Sequence, residues 1–452
     1  MRNSIKILGE VSFSNLTNWS VQYLLDTSFS YNQDFKLVSI GDFLTRNKTS
    51  ILVQDNKEYK RVTIKIRNGG IFLRDKLIGS SIGTKKQFVI NEGQFLLSKI
   101  DARNGAFGVV PKDVDNGIIT GNFWTFDVDY DLINPHFLSL MVTTPEFIKF
   151  SENASNGTTN RHYLQEDLFL AQKIPLPPLP EQNRIVENYN KKIKLATEQE
   201  KKAEKFKEGL SVYVDSSLGI VINEKLENTG SGIIKTVNYK DFEKWGVNAQ
   251  TNTKITFNKN YRISTIAQLS DISSGGTPSR SRPKYYTGDI PWIKTGEVIN
   301  DIIFDTEEKI TSEAIKNSSA KLYNKGSLII AMYGQGKTRG RTAKIGVKAT
   351  TNQACAVIHN IDNSTILTDY LWTYLINEYD RLRELASGNN QPNLNAQMIK
   401  NYPVVIPPLD IQQEIIIEVF NLKQQIKDLK IKAKQNRNNA IEEFEQEIFI
   451  KN

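Results

Sequence analysis

The sequence predicts an α+β chain built as one unit written twice: two mixed α/β bodies, each closed by a long helix, with the two helices pairing as a coiled coil. Three observations predict this. First, IPLPPLPEQNRIVENY (Ile174–Tyr189) returns as VIPPLDIQQEIIIEVF (Val405–Phe420), so that Pro177, Pro178, Leu179 and Gln182 recur 230 residues later as Pro407, Pro408, Leu409 and Gln412. Second, FKLVSIGDFL (Phe35–Leu44) has its counterpart in YRISTIAQL (Tyr261–Leu269), and Trp19 and Val21 precede the first as Trp245 and Val247 precede the second, 226 residues on. Third, NEGQFLLSKI (Asn91–Ile100) matches NKGSLIIAMY (Asn324–Tyr333) at a shift of 233. Markers in the same order at nearly constant spacing are the signature of an internal repeat.

In chain order, residues 1–34 are polar and weakly patterned. Phe35–Leu44 alternates as a strand entering a helix or turn. The runs VTIKI, QFVI, QFLLSKI, SLIIAMY and ACAVIHN have the length and β-branched content of strands. NGG, SSGGTPSRSRP and ASGNNQPN between them read as loops. PHFLSLMVTTPEFIKFS and LTDYLWTYLINEYDRLREL read as helical, the latter with Leu371, Leu375 and Tyr379 on one face. Behind each proline pair a helix begins, since proline suits the extended approach and first turn but not the interior. Asp410 followed by Gln413 has capping-box spacing. Apolar residues at Ile185, Tyr189, Ile193, Ala196, Ala203, Phe206 and Leu210 form one seam. Ile415, Val419, Leu422, Ile426, Leu429, Ala433, Ala440 and Phe444 form the other. Steps of three and four suit helices that pack along one side. The second helix, from about Asp410 to Phe449, spans roughly 60 Å at 1.5 Å per residue. The divisions expected are residues 1–174 for the first body, 175–218 for its helix, 219–239 for a linker, 240–404 for the second body and 405–452 for the second helix.

Composition narrows the function. Lys and Arg exceed Asp and Glu by 58 to 50, a moderate +8 that suits a polyanionic partner without requiring one. A single cysteine, Cys355, excludes a disulfide framework and reads as a small buried side chain in a reducing compartment. No signal-peptide run or membrane-length apolar stretch occurs, so a cytoplasmic protein is expected. GQGKT (Gly334–Thr338) invites a phosphate-binding-loop reading, but Ala331 stands where that motif needs glycine and the following residues are strand-like rather than helical. The double prolines precede Leu179 and Leu409, not the aromatic residue of a DNA-amino methyltransferase tetrad. His136, His162 and His359 are scattered, and no carboxylate cluster with a lysine suggests a metal nuclease. No catalytic residue and no metal site is assigned; a non-enzyme is expected.

Polar loop chemistry remains. The first body offers Arg61, Lys65, Arg67, Lys99, Arg103, Asn104, Asn160 and Arg161; the second offers Thr277, Ser279, Arg280, Arg282, Lys284, Tyr285, Lys294, Lys337, Arg339, Arg341, Asn389, Asn390 and Gln391. Arg and Lys can read guanine in the major groove, Asn and Gln adenine, and the same types also hold phosphates. Because these loops differ most between the two units, they can serve different DNA sequences.

Two variable bodies, each ending in a PPL segment and a long helix, resemble the specificity subunit of type I restriction-modification systems. GGTPSRSRPKYYTGDIPWIKTGEV (Gly275–Val298), LIIAMYGQGKTRGR and ASGNNQPNLN are similar to motifs of that family's target-recognition domains. The second copy departs from the usual PEQ with Asp410, Ile411 and Gln412, and the first body lacks a GGTP loop. The resemblance implies two target-recognition domains separated by antiparallel coiled-coil helices, an internal pseudo-twofold repeat. It also implies that each domain reads one half of a bipartite, asymmetric double-stranded DNA target. Two modification (methylase) subunits would dock on the helices and adjoining segments, with Pro178, Leu179, Gln182, Ile185, Pro408, Leu409, Gln412 and Ile415 as interface candidates. Those subunits would bind S-adenosylmethionine and methylate adenine N6, and restriction subunits would bring ATP, Mg and endonuclease activity, leaving this chain without a cofactor. A specificity subunit of a fused restriction-methylation system, a stand-alone tandem DNA-binding regulator and a nucleotide-dependent enzyme are the alternatives.

Overall fold

A computed structural model describes residues 31–156, 163–223, 254–257, 261–334, 336–386 and 393–449. Trp19, Val21, Trp245 and Val247 lie outside the described residues. The chain divides into two compact units. One comprises Met1–Gln199 and Ile431–Asn452, the other Glu200–Lys430. Each long helix is continuous over 40 residues, Leu179–Leu218 and Leu409–Ile448, and contributes one half to each unit.

Each unit opens and closes on the same two-stranded ribbon. Lys36–Ser39 pairs antiparallel with Lys173–Leu176 in the first, and Arg262–Thr265 with Pro403–Ile406 in the second. The second strand of each ribbon runs through the double proline into the long helix, which fixes where the helix begins. Asp410, expected as a cap, falls inside the first turn because the helix starts at Leu409. There its carboxylate meets the positive end of the helix dipole. The fastening is done by a glutamine instead. Fully buried Gln182 donates to the carbonyls of Pro177 (2.8 Å) and Leu132 (3.0 Å) and accepts from the Asn134 N–H at 2.8 Å. Fully buried Gln412 repeats this set, donating to Pro407 (2.8 Å) and Thr365 (3.1 Å) and accepting from the Leu367 N–H at 2.8 Å. Each glutamine ties the start of its long helix to the segment just before a short one, Pro135–Met141 in the first unit and Thr368–Asn377 in the second.

Among the described residues, the first unit holds a four-stranded sheet whose members run, in spatial order, Leu44–Asn47, Phe123–Val128, Phe95–Ser98, Phe107–Val109. The second unit repeats that order as Asp271–Ser274, Cys355–His359, Leu328–Ala331, Thr342–Ile345 and extends it with a fifth strand, Ile302–Ile303, parallel to the last. The accessory sheets differ. The first unit adds a sheet whose longest strands, Glu58–Ile64 and Ile71–Ile78, form a hairpin. The second adds a smaller sheet centred on Ile290–Ile293. The expected linker is partly structured: Ile220–Asn223 pairs antiparallel with Lys254–Phe257.

The long helices pair antiparallel within the first unit. Arg184 bridges to Glu447, Lys192 to Glu443 at 2.8 Å, and Asn436 donates to Gln199 at 3.0 Å, so one helix runs forward as the other runs back. Ala196, Ala433 and Ala440 are buried here, small residues that permit close approach. Phe444 and Ile448 complete the core of the first unit with Phe137, Phe147 and Ile185, and the Phe444 ring meets Phe137 edge-on at 6.2 Å. In the second unit Val214 and Leu218 of the first helix share a core with Ile415 and Val419 of the second and with Leu328, Tyr370 and Tyr374. A polar clasp accompanies that core. Arg381 pairs with Asp215 at 3.1 Å and with Glu378, whose carboxyl also accepts from the Tyr402 hydroxyl at 2.6 Å. Burial holds Glu378 above its ordinary pKa despite Arg381. The helical run expected through Tyr379 breaks into Thr368–Asn377 and Tyr379–Glu384. Tyr379 therefore leaves the Leu371/Leu375 core face and sends its hydroxyl to the Lys337 carbonyl at 2.8 Å.

Removing the amide at either glutamine strands three backbone groups. Each unsatisfied buried group costs about 1–3 kcal/mol. Gln412→Ala is therefore expected to destabilise the second unit by roughly 3 kcal/mol or more in urea unfolding followed by circular dichroism. A loss below about 1 kcal/mol contradicts the fastening role.

Candidate nucleic-acid interface

The two central sheets present one comparable loop each. In the first unit the chain leaves strand Phe95–Ser98 and makes the turn Ala102–Asn104, ending at Gly105 with φ +75. The hairpin turn between Glu58–Ile64 and Ile71–Ile78 packs against it: the Arg67 N–H donates to the Asn104 carbonyl at 2.6 Å and the Asn68 N–H to Gly105 at 3.0 Å. Both donors have positive φ, 58 and 56. A Cβ on Gly105 would lie 3.1 Å from the Asn68 backbone nitrogen, and its φ of +75 is one that glycine adopts at least cost. Arg67, Asn68, Arg103 and Asn104 thus share one edge. Lys65 stands beside them with its ammonium 4.4 Å from the Phe72 ring centre. Lys99 lies 5.5 Å over the Tyr163 ring, and its carbonyl accepts from Leu164 at 2.9 Å. Asn160 and Arg161 lie outside the described residues. Arg61 does not join the edge. It forms a two-pronged bridge to Asp75 on the adjacent strand, at 2.8 and 2.7 Å.

In the second unit the residues of the GGTP loop hold one another. A Cβ on Gly275 would sit 2.1 Å from Thr351 Oγ1, and one on Gly276 2.3 Å from the Ala320 nitrogen, so both glycines are demanded by packing. The Trp292 indole donates to the Gly276 carbonyl at 3.0 Å. Arg280 stacks 4.1 Å over Tyr286 and 5.1 Å from Trp292 while pairing with Glu308 at 2.5 and 3.1 Å. Lys294 reaches the same Glu308 at 2.9 Å and Glu307 at 2.8 Å. Arg280 first and Lys294 next hold the Glu308 carboxyl down at about 2. Thr277 is tied to Gln353, Ser279 to Ser281 at 2.8 Å, and Lys284 to Glu313 at 3.0 Å. Arg282 donates to the Tyr285 hydroxyl at 2.7 Å. Tyr285 itself, expected at the interface, is 1% exposed and packs with Trp292, Ile310 and Ala314. It belongs to the core of the accessory sheet.

The loop comparable to Ala102–Gly105 is the basic run after Leu328–Ala331. Gly334, Gly336 and Gly340 adopt φ of +128, +73 and +84, and strand Thr342–Ile345 follows where a phosphate-binding loop would open a helix. Lys337 is exposed, and Arg339 and Arg341 are half-buried. Asn389, Asn390 and Gln391 lie outside the described residues. Arg383, absent from the sequence-derived set, joins this loop: it lies some forty residues further on, and no spacing links it to the run.

The eight docking candidates divide. Gln182, Ile185, Gln412 and Ile415 are at most 3% exposed and engaged within the chain, so they form its own framework rather than a contact surface. Pro178 and Pro408 are exposed, Leu179 is half-exposed, and Leu409 is 41% exposed. Among the described residues no group of His, Cys, Asp or Glu is arranged to hold a metal ion, and no helix is long and apolar enough to cross a membrane.

Residues 32–207 and 258–443 match the type I restriction modification DNA specificity domain family. The chain is 22% identical over 438 residues to the type I restriction enzyme HindI specificity subunit of Haemophilus influenzae, an alignment covering 86% of this chain and 93% of that protein. It is 27% identical over 206 residues to the MjaIX specificity subunit of Methanocaldococcus jannaschii, spanning 42% of this chain and less than half, 43%, of that relative. Among solved structures, a chain from a study of complex assembly and conformational transition of the type I R-M system aligns with a TM-score of 0.57 at 15% identity, covering 92% of this chain and 97% of that one. The HsdS subunit of Thermoanaerobacter tengcongensis aligns with a TM-score of 0.50 at 15% identity, covering 93% and 98%.

A depressed carboxyl pKa contributes stability that is present above the unfolded value and lost as pH falls toward the folded one. The advantage of the parent chain over Glu308→Gln, measured by thermal melting, should be full at neutral pH and shrink as pH falls from the ordinary glutamate range toward about 2. A constant difference across that range contradicts the Arg280–Glu308–Lys294 network.

Proposed function

Since this chain belongs to the type I restriction-modification DNA specificity family, we propose that its two units are independent readers, each recognising one half of a bipartite, asymmetric double-stranded DNA target. The observation that carries this reading is the pairing of one repeated scaffold with two unlike loop sets. The order of four sheet strands, the ribbon and the glutamine fastening recur, whereas the edge carrying Lys65, Arg67, Lys99, Arg103 and Asn104 is replaced by the glycine-rich basic loop through Lys337, Arg339 and Arg341. Those exposed and half-exposed cations and amides have the chemistry to meet phosphates and base edges. Arg61, Arg280, Lys284 and Lys294 carry carboxylate partners and shape the loops that others present.

In this reading the paired helices set the unspecified gap between half-sites, and the exposed Pro178, Leu179, Pro408 and Leu409 belong to the surface on which two modification subunits dock. The chain is catalytically silent and holds no cofactor. S-adenosylmethionine and adenine-N6 methylation belong to the modification partners, ATP, Mg and cleavage to restriction subunits, and the assembly works in the cytoplasm.

Replacing residues 250–400 with the matching segment of another family member should change one half of the methylated target and leave the other intact. Methylation-aware sequencing of host DNA reads this directly. Altered specificity in both halves would exclude independent readers, and an absence of any split adenine-methylated motif would exclude the specificity role.

A further inference from the structure

One guanidinium stitches the basic loop of the second unit to the short helix Tyr379–Glu384. Arg383 Nη1 donates to the Arg339 carbonyl at 2.9 Å and to the Tyr379 hydroxyl at 3.1 Å, and its guanidinium carbon lies 5.3 Å from that ring's centre. Tyr379 in turn donates to the Lys337 carbonyl at 2.8 Å. Gly340, with φ +84, admits the approach, since a Cβ there would lie 3.0 Å from Arg383 Cγ. Arg383 is thus positioned by the loop's own backbone.

The result is a concentration of positive charge without an ion-pair partner among the described residues. Elsewhere in the unit Arg280, Lys294, Lys344 and Arg381 each hold a carboxylate. Among the described residues, none of Lys337, Arg339, Arg341 and Arg383 makes an ion pair. Among the described residues Arg339 Nε is buried and has no hydrogen-bond partner. Burial, and after it the charge of Arg383, presses the Arg339 guanidinium below its ordinary pKa. Two neighbouring guanidinium groups that no carboxylate neutralises among the described residues are completed by an anion that accepts from their terminal nitrogens. The planar forks suit a phosphate oxygen pair better than a point charge would. Their setting also separates backbone from base recognition. Arg383 is anchored through its own terminal nitrogen, and the Arg339 donor is recessed, so neither is free to extend into a groove.

Building on the DNA-binding reading above, we propose that Arg339 and Arg383 form a phosphate clamp that seats the DNA backbone against loop 336–341 without reading sequence. The pair sets the affinity and register of the second unit, and base preference comes from other side chains.

The test uses the full chain together with its modification subunits and a randomised duplex pool, with binding measured over a series of KCl concentrations and the bound fraction sequenced. Arg339→Gln and Arg383→Gln should each weaken binding about tenfold to all duplexes alike and lower the log–log salt slope by about 0.9, with the enriched motif unchanged. Arg383→Lys keeps the cation but loses the fork, and should fall between parent and glutamine variant. Its melting temperature, matched to the parent's, guards against misfolding. A shifted motif in any variant would make the pair base readers, and unchanged affinity and slope would remove it from the contact, both overturning the clamp. If the parent complex enriches no motif, the DNA-recognition reading fails, and the clamp with it. If the parent does and the variants match it, only the clamp fails.

Discussion

A single buried amide at the start of each long helix governs how this chain is put together. Gln182 and Gln412 each satisfy two carbonyls and one N–H that would otherwise be stranded where strand gives way to helix. Prolines just ahead of them remove backbone donors and set the chain direction, and the glutamine locks that direction against the unit's own helical segment. With the first turn of each helix fixed in this way, the direction in which it leaves its ribbon is fixed too. Within the first unit the two helices run antiparallel, from Arg184–Glu447 to Gln199–Asn436.

On this framework the cations fall into two populations. Some are structural: Arg61 with Asp75, Arg280 and Lys294 with Glu308, Arg381 with Asp215 and Glu378. Others face outward from the comparable loops with no such partner among the described residues, as at Arg67 and Lys337. A net charge of +8 says little about DNA binding by itself. The sorting of charges into paired and unpaired sets says more, because a cation already held by a carboxylate offers a phosphate little.

The repeat was legible because its markers are fold-defining. PPL with glutamine, the strand runs Asn91–Ile100 and Asn324–Tyr333, and the apolar helix seams report local geometry that any copy must keep. The seam residues are buried or half-buried as their spacing implies, from Ile185 and Ala196 to Ala440 and Phe444. Roles of individual polar residues were less legible. Gln182 and Gln412 read as surface docking positions because their shared recurrence looks the same whether it serves a partner or the chain's own backbone. Tyr285 sits in a string of polar loop residues, yet only the packing of Trp292 and Ile310 reveals it as core. Arg383 was invisible because its partner loop is distant in sequence.

Sharing both helices between the units has a consequence for vectorial synthesis. The first unit's core includes Phe444 and Ile448, so a chain growing from its N-terminus has made the whole second unit before the first can close. A premature stop near residue 430 would therefore injure the domain translated earliest and largely spare the later one, reversing the usual polarity of nonsense damage.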